Sequence, residues 1–155
     1  MKKFIFKILV LLLISSCGFK VVNQSSLINF SISKITMVGD KRINYNLKNK
    51  ILSTIKDTNN RTINLIVNTK KEKTIKDKNI KNEIIKYQIK VSAIVKIKDK
   101  NYSNIKPINI EQIGNFDVAN QYSQTLNNEK NLIKTLSESL ANELIDEIIR
   151  RMNDL

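Results

Sequence analysis

Alternation at period two marks the clearest element of the chain. Along residues 85–98 the odd positions carry Tyr87, Ile89, Val91, Ala93, Val95 and Ile97, while the even positions carry Lys86, Gln88, Lys90, Ser92, Ile94, Lys96 and Lys98. Successive side chains of a strand point to opposite faces, so one face is expected to be core and the other polar and basic, as in a sheet covered on one side only. Three further segments share this period. Ile28, Phe30 and Ile32 alternate, and Ile35 and Met37 continue on the opposite parity, which predicts a strand with a one-residue bulge near Ser33-Lys34 that ends at Gly39-Asp40. Ile63, Leu65, Val67 and Thr69 predict another strand. Ile108, Ile110, Ile113 and Phe116 predict a weaker one, and Pro107 inside it removes a ladder donor, which points to an edge position or a bulge.

Two stretches switch to helical period. Ile43, Leu47, Ile51 and Ile55 step by four, Leu52 widens their stripe, Asp40 is placed to cap the N-terminus, and Asp57-Thr58-Asn59-Asn60 breaks the helix. After Asp117, Leu126, Ile133, Leu136, Leu140, Leu144, Ile148 and Met152 mark one face of a long helix from about Asn120 to Asn153. Ala141 and Ile145 flank that stripe, and Glu129, Glu138, Glu143 and Glu147 fall largely on the wet side. Such a helix spans about 51 Å and the central strand about 46 Å, so the helix can run along the whole sheet. The order strand, helix, three strands, helix predicts an α+β fold: a two-layer sandwich with both helices packed on one face of a four-stranded mixed β-sheet, the first helix being a crossover. Residues 70–83, between the second and third strands, read as a basic hairpin end.

The N-terminus follows a different pattern. Lys2, Lys3 and Lys7 lead into the apolar run Ile8 to Ile14, then Ser15, Ser16 and Cys17, the only cysteine. A positive region, a short apolar region and a small-residue cleavage site make a signal peptide of residues 1–16. Seven apolar residues fall far short of the roughly 20 that span a bilayer as a helix. The Ile-Ser-Ser-Cys spacing resembles the bacterial lipobox, in which the thiol takes a diacylglyceryl group. The competing reading is an ordinary secretory signal followed by an incidental thiol. Residues 17–26 then form the lipidated Cys17 and a polar tether, and residues 27–155 a single domain. Gly18 stands where an Asp would signal retention at the inner membrane, which favours the outer membrane.

Charge and composition narrow the function. Without residues 1–16 the chain carries 24 Lys+Arg against 14 Asp+Glu, a net of +10, and the charge is segregated: residues 17–116 hold 20 basic and seven acidic residues, residues 117–155 four and seven. This suggests an anionic partner, and a lipid-anchored envelope protein meets lipid phosphates rather than nucleic acid. A/T-rich coding is a competing explanation, since 23 of the 27 basic residues are Lys, but the segregation of sign tips the reading toward function. The chain has no His, one Cys and three Gly, which removes the usual general base, the commonest metal ligands and any glycine-rich phosphate loop. No catalytic residue, metal or cofactor is expected, and the chain is read as a non-enzyme.

Cys17-Gly18-Phe19 after the signal, the order of strands and helices, Tyr87-Gln88 opening the central strand, and Tyr122 and Glu129 ahead of a Leu-rich terminal helix together resemble the lipopolysaccharide-assembly lipoproteins, the small outer-membrane subunits of the lipopolysaccharide translocon. The resemblance covers most of the chain after the signal. It implies a plug and assembly factor inside a large outer-membrane β-barrel, held by its N-terminal lipid on the periplasmic side and binding lipopolysaccharide during delivery to the outer leaflet. Lipid A phosphates would then meet Lys70, Lys71, Lys73, Lys76, Lys78 and Lys81 of the hairpin end and Lys86, Lys90 and Lys96 of the central strand. The chain lacks Trp and has few Arg, a departure from many relatives that bears on bidentate phosphate recognition. The alternative is an independent periplasm-facing outer-membrane lipoprotein that scaffolds or activates a cell-wall enzyme.

Overall fold

The period-two runs become one sheet and the period-3.6 runs its cover. The computed structural model describes residues 28–55, 61–102 and 105–154. The signal, Cys17, the tether and the breaker at residues 57–60 lie outside them. The elements are β1 (Ser31–Gly39), α1 (Lys41–Thr54), β2 (Thr62–Lys78), β3 (Ile84–Asp99), β4 (Ile108–Asp117) and α2 (Tyr122–Asn153). Strand order is β1-β2-β3-β4. β1 runs parallel to β2, which requires the crossover that α1 supplies, and the other two pairings are antiparallel. The register of β1 shifts between Ile32 and Lys34, the bulge that the change of parity anticipates.

Both helices lie on the same face. Leu65 and Val67 of β2, Ile89, Val91 and Val95 of β3, Ile43, Leu47 and Ile51 of α1, and Leu140, Leu144 and Ile148 of α2 are all fully buried. Burial of an Ile or Leu side chain contributes about 1.5–3 kcal/mol, so this aliphatic set is the main stabilising term. Asp40 caps α1, its Oδ1 accepting from the backbone N–H of Arg42 at 3.0 Å and Ile43 at 3.1 Å. Where α2 crosses β4, a Cβ on Gly114 would stand 2.7 Å from Leu132 Cδ1. The missing side chain lets the helix settle close to the strand.

Four expectations are corrected. Leu52 is 47% exposed, outside the α1 stripe, because 100° per residue turns it away from Ile51. Ile113 is 51% exposed: Ile108, Ile110 and Phe116 share even parity and an odd residue must face the other side. Leu126 lies in the first turns of α2, where Thr125 takes the buried side, and is exposed. Pro107 sits directly before β4, not inside it, so no ladder donor is lost, and β4 is indeed an edge strand.

Arg61 locks three chain segments together. Its Nε donates to Asp99 Oδ2 at 2.8 Å, its Nη1 to the Met152 carbonyl at 3.2 Å, and its guanidinium lies 4.8 Å from the Tyr102 ring centroid. Burial alone would push the Asp99 carboxyl up, but the Asn101 N–H and the Arg61 guanidinium outweigh it and hold the carboxyl below its ordinary value. Hydrogen bonds from Arg150 and Arg151 lower Glu147 likewise. A carboxyl lowered in the folded state gives stability that is fully present above its unfolded value. Stability is therefore expected to be level from neutral pH to about pH 5 and to fall as pH drops through about 4 toward the folded values. Thermal melts over this range measure it, and Asp99→Asn should flatten the decline. An unchanged decline would show that Asp99 is not responsible.

Candidate functional site: a lysine-bearing ribbon

The site candidates follow from the register of the β2–β3 ribbon. β1 stops pairing at Gly39, opposite Thr69, but β2 continues to Lys78, hydrogen-bonded to β3 alone on that stretch. Lys70 to Lys78, expected in the hairpin end, therefore belong to the strand, and the turn is only residues 79–83. Two asparagines build this turn. Asn79 Oδ1 accepts from the backbone N–H of Lys81 and Glu83, each at 2.9 Å, and Asn82 takes φ 64°, a left-handed conformation that Asn tolerates better than most residues.

Alternation then separates the nine candidate lysines. Lys71 and Lys73 share parity with buried Thr69, so they fall on the helix side. Lys71 lies 3.8 Å from Asp40 of the α1 cap. Lys73 bonds Glu129 of α2 at 2.6 Å and stands 4.3 Å from the Tyr87 and 5.1 Å from the Phe116 ring centroid. Its ammonium sits over stacked rings, where a cation is attracted to the π-faces. Lys70, Lys86 and Lys90 point to the open face, and each has a carboxylate: Glu72 at 2.6 Å for Lys70, Glu111 at 2.6 Å for Lys90, and Asp117 at 3.5 Å and Asp77 at 3.9 Å for Lys86. The Glu111 carboxylate raises the Lys90 pKa, and Lys70 lowers that of Glu72.

The ribbon tip carries the next group. Lys76 sits in the register shift between Ile75 and Asp77, Lys78 donates to Asn82 Oδ1 at 2.9 Å, and Lys81 lies in the turn. None of the three meets a carboxylate among the described residues. Beside them Ile75, Ile80 and Ile85 are 51%, 103% and 43% exposed. Sequence reasoning counted the lysines and passed over these isoleucines. Their signal was there: Ile80 interrupts a run of Lys, Asp and Asn. Lys96 belongs to neither group, lying ten residues along β3 from Lys86, about 33 Å away.

The arrangement offers cationic and aliphatic contacts. Among the described residues no cluster of His, Cys, Asp and Glu gathers at metal-binding spacing, and no helix is long and apolar enough to cross a membrane.

No protein-family model matches the chain, and no curated protein matches it by sequence. Its fold is found in solved structures. Rare lipoprotein B from Shewanella oneidensis superposes with a TM-score of 0.62 at 10% identity, covering 78% of this chain and 97% of that one. A putative lipoprotein from Caulobacter crescentus CB15 gives 0.56 at 13% identity, with 76% and 89% covered. A minor lipoprotein from Acinetobacter baumannii gives 0.54 at 13%, with 77% and 94% covered. The domain thus has the fold of several bacterial lipoproteins, across nearly their whole length.

Proposed function

We propose that this chain is an outer-membrane lipoprotein, anchored through Cys17 on the periplasmic side, that acts as plug and assembly factor of a β-barrel lipopolysaccharide translocon and binds lipopolysaccharide on its way to the outer leaflet. The observation that carries the ligand reading is the ribbon tip, where Ile75, Ile80 and Ile85 are exposed beside Lys76, Lys78 and Lys81. An amphiphile with phosphates next to acyl chains is the complementary chemistry: ammonium groups pair with the phosphates, and the isoleucines cover methylene groups. The shared fold with bacterial lipoproteins supports the anchor. Lys70, Lys71, Lys73, Lys86 and Lys90 are already paired with carboxylates of the chain, which leaves the tip lysines as the stronger ligand candidates.

The test has two arms. Purification from native membranes without prior dissociation is expected to bring down a large outer-membrane barrel. Recovery as a free monomer would overturn the plug reading, and crosslinking to a peptidoglycan synthase would select the scaffold of a cell-wall enzyme. In the second arm, Lys76→Glu/Lys78→Glu/Lys81→Glu is expected to weaken lipopolysaccharide binding at least about 100-fold, on the scale of about 1 kcal/mol per lysine at an anionic lipid surface. Unchanged binding would remove the tip from the site.

A further inference from the structure

The open face of the sheet sorts its charges by position. Toward the tip, Lys70, Lys86 and Lys90 are each neutralised by a carboxylate of the same face. At the other end the pairing stops. Lys34 of β1, Asn64 of β2 and Lys98 of β3 stand side by side, and the next row is Thr36, Ile66 and Lys96. The row after that is Val38, Asn68 and Ile94, with Val38 55% and Ile94 45% exposed. No described Asp or Glu lies in these three rows. Lys34 and Lys98 are two strand spacings apart, about 10 Å, and Lys96 is about 7 Å from Lys98. These separations are comparable to the Debye length of about 8 Å, so the three charges repel one another without full screening.

We propose that this corner, formed by Lys34, Lys96 and Lys98 with Val38, Ile66 and Ile94 beside them, lies on an anionic phospholipid surface. No described carboxylate supplies its counter-charge, whereas Lys70, Lys86 and Lys90 of the same face have theirs. Three features select lipid over an acidic protein surface. Lysine ammoniums are mobile point charges, suited to phosphates that diffuse and not to a fixed carboxylate fork. The adjoining aliphatic row suits an interface that is part headgroup and part acyl chain. β1 also begins at this end, with Ser31 fourteen positions after Cys17, a stretch that reaches at most about 50 Å. The placement beside a membrane rests on the lipid-anchor reading of Cys17. The contact itself does not, and it is separate from lipopolysaccharide binding at the distant tip.

The mature chain carrying Cys17→Ser, incubated with vesicles of phosphatidylethanolamine and phosphatidylglycerol, tests the contact without the anchor or any barrel. Binding is expected to these vesicles and not to phosphatidylcholine alone. Lys34→Gln/Lys96→Gln/Lys98→Gln is expected to lower the partition coefficient about 100-fold. Lys41→Gln/Lys48→Gln/Lys50→Gln, the same charge change on exposed positions of α1 in the other layer, is expected to lower it less than about 10-fold. Matching melting curves establish that each variant is folded. Equal losses from the two triple variants would reduce the effect to net charge and overturn the patch. Absence of binding to the anionic vesicles, with the three lysines crosslinking instead to an acidic protein in native envelopes, would overturn it in favour of a protein partner. Because no translocon is present, failure here leaves the plug reading to its own test.

Discussion

Replacing Gly39 with alanine is expected to lower unfolding free energy by about 3 kcal/mol or more, the combined effect of a disfavoured backbone region and a clash with backbone. Gly39 closes β1 at φ 106°, where L side chains are rarely found. An added Cβ would stand 1.9 Å from the Thr69 carbonyl oxygen. That oxygen is backbone in a central strand: Thr69 pairs with Gly39 on one side and Ala93 on the other. It cannot retreat without opening the ladder. The disturbance would spread, because Thr69 Oγ1 donates to Asn44 Oδ1 of α1 at 2.7 Å, and Asp40, the next residue, caps that helix. Gly114→Ala is the contrasting case. Its added carbon would meet the end of the Leu132 side chain, which can rotate away, and a cost of about 1 kcal/mol is expected. Urea denaturation of both variants measures the difference. Equal effects would show that the β1–α1 junction relaxes freely.

Arg61→Ala is expected to cost about 3–5 kcal/mol, the range for stranding one member of a buried ion pair. Asp99 has a side chain only 1% exposed, so its carboxylate cannot exchange Arg61 for water. The Asn101 N–H, at 2.8 Å, would be its remaining partner among the described residues. The same substitution frees the Met152 carbonyl at the end of α2 and the face of Tyr102. Lysine should not restore the loss, because a point charge cannot reach Asp99 and Met152 together. Combining Arg61→Ala with Asp99→Asn should cost clearly less than the sum of the two, because the stranded charge is gone. Additive losses in denaturant would refute the coupling.

The fold was legible wherever one face of an element is buried. The strict alternation of residues 87–97 and the four-residue steps from Ile43 to Ile55 each leave one workable orientation, and the change of parity after Ile32 located the bulge. The errors have two causes. Leu52 and Ile113 stand off the stripes of their own elements, by helical angle and by strand parity, whereas the exposure of Leu126 depends on which side of the first turns of α2 is covered, and nothing near it in the chain records that. The β2–β3 ribbon was misjudged for a related reason. Residues 70–78 are polar on both faces because the helices cover little of them, so they lack the pattern that marks a half-buried strand, and the pairing with β3 alone keeps them extended.

By itself the sequence determined the two-layer α+β plan, the cap at Asp40 and the excess of lysine, because these follow from local periodicity, cap chemistry and composition. Only the tertiary structure decided which lysines are available. Lys73 is drawn over Tyr87 and Phe116 to Glu129, fifty-six residues away, and Lys90 meets Glu111 across a strand pair. Lys34, Lys96 and Lys98 come together from two strands with no described carboxylate in their rows. Ion pairing acts through space over a few ångströms, and the ladder register that sets those distances is a property of the assembled sheet.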